Sequence, residues 1–248
     1  MCGRFAVTLP PEAMRRFFRY AEQPNFPPRY NIAPTQPVPI LRKLASAKGP
    51  SRHLTLMRWG FLPGFVKDPK TFPLMINARC ETLLVKASFR AAAKRRRCLF
   101  IADAFYEWRD LGRSARKAAK IPYLFRRRDG APLAFAGLWE TWTGPNGEEL
   151  DTATIITTGA NGATSAIHER LPAILEPDSF DLWLDPDESV TDSALSLLHP
   201  PGNDVLEFFE IGPAVNKVDC DEPEIQTPVG ESARIAPALS EPVQGRLF

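Results

Sequence analysis

What the chain lacks narrows its chemistry first. Its 248 residues contain three histidines and four cysteines. Cys2, Cys80, Cys98 and Cys220 stand far apart and form no CxxC pair, so neither a zinc site nor a disulfide framework is expected. A reduced, cytoplasmic protein suits that pattern better. There is no HExxH arrangement and no glycine-rich phosphate loop, which removes metal-dependent hydrolysis and nucleotide-driven chemistry from the front rank. No metal or cofactor is expected. No apolar run reaches the roughly 18 residues that a membrane helix requires. Arg15, Arg16 and Arg19 interrupt the N-terminal region too early for a signal peptide, which also excludes a lipoprotein reading of Cys2.

What is present is a globular chain with an uneven charge. A hydrophobic content of 44% supplies enough apolar side chains for one substantial core. The net charge of +2 conceals two opposed halves. Residues 1–130 hold 27 Lys+Arg against 8 Asp+Glu, whereas residues 131–248 hold 4 against 21. A basic surface for a polyanion, nucleic acid first, is one reading of this division. The other is that the halves pair across one fold.

Periodicity predicts a helix over Pro10–Glu22, where Met14, Phe17, Phe18 and Ala21 recur at helical spacing after a proline. Short helices are also expected at Ala78–Val85, Phe89–Arg96, Asp178–Leu184 and Ser193–Leu198. Strands are expected at Val38–Lys43, Leu54–Trp59, Cys98–Trp108, Pro122–Arg128, Leu133–Trp142 and Ala153–Thr158, with a turn at Gly144–Gly147. Strands and helices outside any regular βαβ rhythm imply an α+β fold: an antiparallel sheet curled toward a barrel, with short helices around it. Residues 1–226 read as one domain. From Thr227 onward proline, glycine and small polar residues dominate, and a disordered tail is expected.

Directly behind Met1 stands Cys2, and no leader is expected in front of it. Once Met1 is trimmed, Cys2 would carry a free α-amine (pKa about 7.7–8.0) beside a thiol (about 8.5). Such a 1,2-aminothiol closes a five-membered thiazolidine ring on an aldehyde, which an ordinary cysteine cannot do.

Cys2 begins the first of seven ordered segments: Cys2-Gly3-Arg4-Phe5, Tyr30–Thr35, Trp59-Gly60-Phe61-Leu62-Pro63, Asn77–Thr82, Phe105-Tyr106-Glu107-Trp108, Ile156–Asn161 and His168-Glu169-Arg170-Leu171-Pro172. Their order and content resemble the SRAP family, the abasic-site processing proteins also called SOS-response-associated peptidases. The resemblance implies a β-barrel-like core ringed by helices. It also implies capture of abasic sites in single-stranded DNA as a thiazolidine on Cys2, by a monomer found in the cytoplasm and on damaged nucleoid DNA. Leu171 stands where the family usually has methionine, a volume-conserving change.

The residues make chemical sense of that implication. Attack by the amine and closure by the thiol both need a carboxyl group of tuned pKa, and Glu107, between Tyr106 and Trp108 in an apolar strand, is the candidate. Its alternative is a sheet-edge carboxylate in a salt bridge. Asn77 suits orientation of the amine or sugar, or an N-cap for the helix expected after it. From the resemblance His168 is an active-site histidine, either a proton donor to the sugar ring oxygen or a hold on the phosphate beside the lesion, with a structural histidine as the alternative. Arg4 and Arg79 are assigned to phosphates. Trp59 and Trp108 offer faces for stacking, with core packing as the alternative. Asn31, Pro34, Gly60 and Thr158 match motif positions expected along a DNA channel. The basic runs Lys94–Arg97 and Arg126–Arg128 read as solvated faces.

Two rival classes stay open. An N-terminal-cysteine amidotransferase would use the same thiol on an amide, and a non-catalytic binder of single-stranded or modified DNA would leave Cys2 without a chemical role. Separately, Gln244-Gly245-Arg246-Leu247-Phe248 resembles the short peptides that dock on the replication sliding clamp through positions matching Gln244, Leu247 and Phe248.

Overall fold

The apolar strands predicted above form two sheets in the computed structural model, which describes residues 2–22, 24–44, 51–112 and 120–230. Twelve strands are present: β1 (Phe5–Val7), β2 (Arg29–Ile32), β3 (Pro37–Leu44), β4 (Ser51–Trp59), β5 (Asn77–Arg79), β6 (Arg97–Ala102), β7 (Ala104–Asp110), β8 (Lys120–Arg127), β9 (Leu133–Thr143), β10 (Glu149–Gly159), β11 (Arg170–Pro172) and β12 (Leu206–Glu210). The first sheet runs β12-β8-β7-β1-β2 and is antiparallel throughout. The second closes on itself. Strands β10, β4, β3, β6 and β9 form a ring because β9 returns to pair with β10. Closure removes the free edges that an open sheet would expose.

Strand β10 is long enough to serve several partners in turn. Its first part pairs with β9 and, in parallel, with the end of β4. Beyond that, Ile155–Thr157 take β5 in parallel and Thr157–Gly159 take β11. The expected antiparallel barrel is therefore present, with two parallel pairings added. Four short α-helices lie among the described residues: α1 (Pro11–Phe18), α2 (Ala87–Arg95), α3 (Phe180–Leu184) and α4 (Thr191–Leu195). Helix α1 buries Met14 and Phe18 and stops before Glu22, because Arg19 turns left-handed at φ 55°.

Two expectations are corrected. Residues 78–85 are not a helix. Asn77–Arg79 form β5, and a single 3-10 turn follows over Cys80–Thr82. The edge of β10 beyond β4 offers unpaired backbone groups, and pairing with them outweighs helix propensity. Cys98–Trp108 is likewise not one strand. Asp103 breaks it, its Oδ2 accepting the backbone N–H groups of Thr8 (2.5 Å) and Leu9 (2.6 Å). The break sends β6 into the barrel and β7 into the other sheet.

An aromatic layer joins the two sheets. Phe5 meets Trp59 edge-on at 5.2 Å and Phe100 and Phe135 at 6.2 Å. Phe105 stacks on Phe125 at 4.9 Å. Full burial of each such ring contributes about 1.5–3 kcal/mol. The outer face of the first sheet is covered by the chain's C-terminal arm. There Ile211, Val215 and Ile225 pack on Ala6, Ala104, Tyr106 and Leu124. Pro228 still bridges Ile211, and the Val229 N–H donates to the Glu210 carbonyl. The rest of the expected tail, with Gln244, Leu247 and Phe248, lies outside the described residues. Arg97 also departs from expectation. It is buried and donates to the carbonyls of Ala93, Lys94 and Trp183, locking α2 to α3.

Candidate active site

Glu107 is the centre of the site. Strand alternation sends Tyr106 and Trp108 to the face under the C-terminal arm and Glu107 to the other. Its side chain is 2% exposed, and this burial pushes its pKa up to about 7. A carboxyl group in that range can both hold and release a proton near neutrality. The imidazole of His168, on the loop leading into β11, places Nε2 4.0 Å from Glu107 Oε2. The backbone N–H of Arg170 donates to His168 Nδ1 at 2.9 Å. With Nδ1 accepting, a neutral imidazole carries its proton on Nε2, the nitrogen facing Glu107. Burial also holds the His168 pKa below its ordinary value, which favours that neutral ring.

Cys2 reaches Glu107 through β1. Antiparallel pairing of β1 on β7, with Phe5 opposite Phe105, carries the residues before β1 past Glu107. The Cys2 thiol is fully buried, and its Sγ lies 3.6 Å from the Arg4 carbonyl. Burial first, and then the nearby Glu107 carboxylate, push its pKa well above the usual thiol range. The thiol is therefore neutral in this setting and needs a base to become a nucleophile. Asn77 opens β5 and donates from Nδ2 to the Cys2 carbonyl at 2.9 Å. The N-cap reading falls, since a strand follows Asn77. Its Oδ1 is buried and has no hydrogen-bond partner among the described residues. Four positions spread over 167 residues of chain thus meet at one place.

The residues assigned to DNA divide. Arg79 is exposed and forms no ion pair among the described residues, so its charge is available. Trp108 and Pro34 are half-buried; the Trp108 indole N–H donates to Asn216 Oδ1 at 2.8 Å. Trp59 is corrected to a core residue. It is 0% exposed, and its indole N–H donates to the Ile76 carbonyl at 3.0 Å, so neither ring face is open to a base. Asn31, also 0% exposed, is corrected from a channel residue to a latch. Its amide donates to the carbonyls of Val215, Lys217 and Cys220 and accepts from Arg4 Nη1 at 2.7 Å. Arg4 gives a second bond to the Val215 carbonyl, also 2.7 Å, so its guanidinium ties the start of β1 to the C-terminal arm. Thr158 is buried with its hydroxyl on the Gly159 carbonyl. Gly60 is required by backbone, not by DNA: at φ +136° a Cβ would stand 2.5 Å from the Leu74 side chain.

Sequence reasoning missed three supports. Arg170, in the His168–Pro172 segment, has no role that its position in the sequence suggests, although its N–H sets the His168 ring. Glu81 receives both Nη atoms of Arg170, at 2.6 and 3.0 Å. Asp221 accepts the N–H groups of Tyr30 and Asn31 and pairs with Arg29. Nothing in local spacing could have joined residue 221 to residue 30. Among the described residues no group of three or more His, Cys, Asp or Glu could hold a metal ion, and no helix is long and apolar enough to cross a membrane.

The chain is 36% identical over 228 residues to the abasic site processing protein YoqW of Bacillus subtilis, covering 91% of this chain and 98% of that one. It is 31% identical over 281 residues to the abasic site processing protein HMCES of Xenopus tropicalis, covering 97% and 82%. A crystal structure of a protein from Bacteroides thetaiotaomicron superposes with a TM-score of 0.75 at 25% identity, covering 92% of this chain and all of that one. The model of the SOS response associated peptidase (SRAP) family matches residues 1–218, and the chain belongs to that family.

Proposed function

We propose that this protein captures abasic sites in single-stranded DNA as a covalent thiazolidine on Cys2, formed after removal of Met1, and so shields the lesion during replication and repair. The observation that carries the reading is the convergence on Cys2 of a buried carboxyl group of pKa about 7, a neutral histidine and an amide with an unused acceptor. The names of the curated relatives point the same way.

The geometry suggests a division of labour. An abasic deoxyribose must open to its aldehyde, and the proton on His168 Nε2 is suited to the ring oxygen as it leaves. The Cys2 α-amine then attacks the aldehyde carbon, and the resulting carbinolamine loses water to give an imine. Protonated Glu107 can supply the proton that the departing hydroxyl needs. As a carboxylate it takes the thiol proton, the sulfur adds to the imine carbon, and the ring nitrogen receives that proton back. One water is lost overall, with no redox change. The Asn77 Oδ1, without a hydrogen-bond partner among the described residues, would accept from the α-amine, which after removal of Met1 has more N–H groups than the single amide N–H that the same nitrogen carries before it. Arg79 and the exposed part of Trp108 would hold the strand beside the lesion.

The test is incubation of purified protein with single-stranded abasic DNA. An adduct weighing the sum of its parts less one water, absent from Cys2→Ala, is expected. A denaturant-resistant adduct in Cys2→Ala would exclude the thiazolidine. Binding by the wild type without any adduct would leave a non-catalytic binder. Trimming of Met1 by the chain itself, with Glu107 as its base, is tested by mass spectrometry of Glu107→Ala: complete methionine loss there assigns the step to another enzyme. Strand cleavage through the imine is a further outcome of the same chemistry, read as shortened DNA on a denaturing gel. Docking of Gln244, Leu247 and Phe248 on the sliding clamp is tested by deleting the last five residues, and unchanged clamp binding would refute it.

A further inference from the structure

The bidentate pair between Glu81 and Arg170 lies outside the groups that would touch the lesion, yet it joins the two segments that carry them. Glu81 follows β5, the strand opened by Asn77, by two residues. Arg170 opens β11, directly after the His168 loop. The guanidinium reaches across the end of β10, giving Nη1 and Nη2 to Glu81 and a third bond from Nη2 to the Thr157 carbonyl at 2.6 Å. Arg170 is thereby held at both ends: its side chain by Glu81 and Thr157, its backbone by pairing with Gly159. What that fixed backbone does is donate to His168 Nδ1 at 2.9 Å.

We infer that Glu81 and Arg170 are positioning residues that hold His168 in the tautomer with its proton on Nε2, aimed at Glu107. Planar fork geometry suits this task, because a bidentate Arg–carboxylate pair fixes direction as well as distance. Without it, the Arg170 backbone loses its anchor toward β5. The imidazole is then free to rotate or to place its proton on Nδ1 with the Arg170 carbonyl, 3.2 Å away, as acceptor. Rotation turns the Nε2 proton away from Glu107, and the tautomer change removes it. The catalytic consequence rests on the reading of His168 given above; the tautomer does not.

Glu81 is 54% exposed, so its replacement leaves the core intact. The experiment compares wild type, Glu81→Ala, Glu81→Gln and His168→Ala. Long-range proton–nitrogen NMR of the histidine rings reports the tautomer. Adduct formation is followed against abasic-DNA concentration to separate the saturating rate from the half-saturation point. For Glu81→Ala the expected result is a mixed or Nδ1-protonated His168, with a saturating rate lower by on the order of tenfold and an unchanged half-saturation point. Glu81→Gln, which keeps one acceptor for the fork, should recover part of both. A pure Nε2-protonated ring in Glu81→Ala would overturn the inference. So would a lower half-saturation point with the tautomer preserved, since Glu81 would then merely compete with phosphate for Arg170. If Glu81→Ala shifts the tautomer while His168→Ala forms adduct at the wild-type rate, the positioning role stands and it is the reaction role of His168 that fails.

Discussion

Replacing Asn31 by alanine removes one small buried amide and, with it, the latch between the N-terminal segment and the C-terminal arm. The amide has two N–H donors shared among three carbonyls, Val215 (3.2 Å), Lys217 (2.9 Å) and Cys220 (2.8 Å), and one acceptor filled by Arg4 (2.7 Å). Each neutral bond contributes about 1 kcal/mol net and the charged one about 1.5–3, with a further penalty for carbonyls left dry. Arg4 is partly exposed and can recover some loss by hydration, so a destabilisation of about 3–4 kcal/mol is expected. In a domain of this size that lowers Tm by roughly 10 °C. Urea unfolding would measure it, and limited proteolysis should show earlier cleavage within residues 211–230. Asn31→Asp is the control. It keeps an acceptor for Arg4 but turns a carboxylate on three carbonyls, so it should be at least as damaging as alanine. A stability loss under about 1 kcal/mol in Asn31→Ala, together with weakened DNA binding, would refute the latch and restore Asn31 to the DNA channel.

Three further outcomes follow from the same geometry. Glu107 has its pKa raised by burial to about 7, so the folded chain binds more protons than the unfolded one between about pH 4.5 and 7. Its contribution to stability is therefore present at low pH and lost as pH rises through that window, by at most about 1.4 kcal/mol per unit. Chemical unfolding of Glu107→Gln across this range should lack that slope while keeping the one from Asp103, raised to about 6; an unchanged slope would contradict the burial of Glu107. Trp59→Ala should cost about 3–5 kcal/mol by calorimetry. Trp59→Phe should bind single-stranded DNA as the wild type does, whereas Trp108→Ala should bind it more weakly. Arg79→Ala should weaken binding to all sequences alike and reduce the slope of log affinity against log salt by about 0.7 for a single strand. An unchanged slope would remove Arg79 from the phosphate contacts.

How much of this was legible depended on range. Strands β4, β8, β9 and β10 could be read because each holds its own apolar pattern for six residues or more. Strands β1, β5 and β11 have three residues apiece and exist only because a distant strand accepts them. Ala78–Val85 carries helix formers, and the waiting edge of β10 overrode them. At the site, Glu107 was legible twice over, from its place in an apolar strand and from its motif. Cys2, Asn77 and His168 needed the motifs, because nothing local brings them together. Asn31 shares those motifs and is expected along a DNA channel for that reason, while Trp59 reads equally as a stacking face or a core residue. Motif membership does not distinguish a residue that meets the ligand from one that supports the wall behind it. Asn31 could be placed only once the arm carrying Val215, Lys217, Cys220 and Asp221 was seen to fold back on β2.

The division of charge along the chain resolves in the same way, with both readings partly right. Arg29, Arg42, Arg52, Arg95, Arg96, Arg126 and Arg127 from the basic half pair with Asp221, Asp151, Asp181, Glu188, Glu140, Glu207 and Glu176 from the acidic half. Partly exposed pairs contribute little to stability, typically about 0–1 kcal/mol each, so stability alone does not account for them. Their effect is to cancel positive charge on the faces where they occur. They do not reach residues 58–86. Arg58, Lys67, Lys70, Arg79 and Lys86 have no ion-pair partner among the described residues, and the segment's two acids are Asp68 and Glu81, the latter bound by Arg170. That segment contains Asn77, which touches Cys2. Cancellation elsewhere thus leaves residues 58–86 as one stretch of uncancelled positive charge that includes Asn77, and such a field attracts a phosphate backbone and raises its encounter rate.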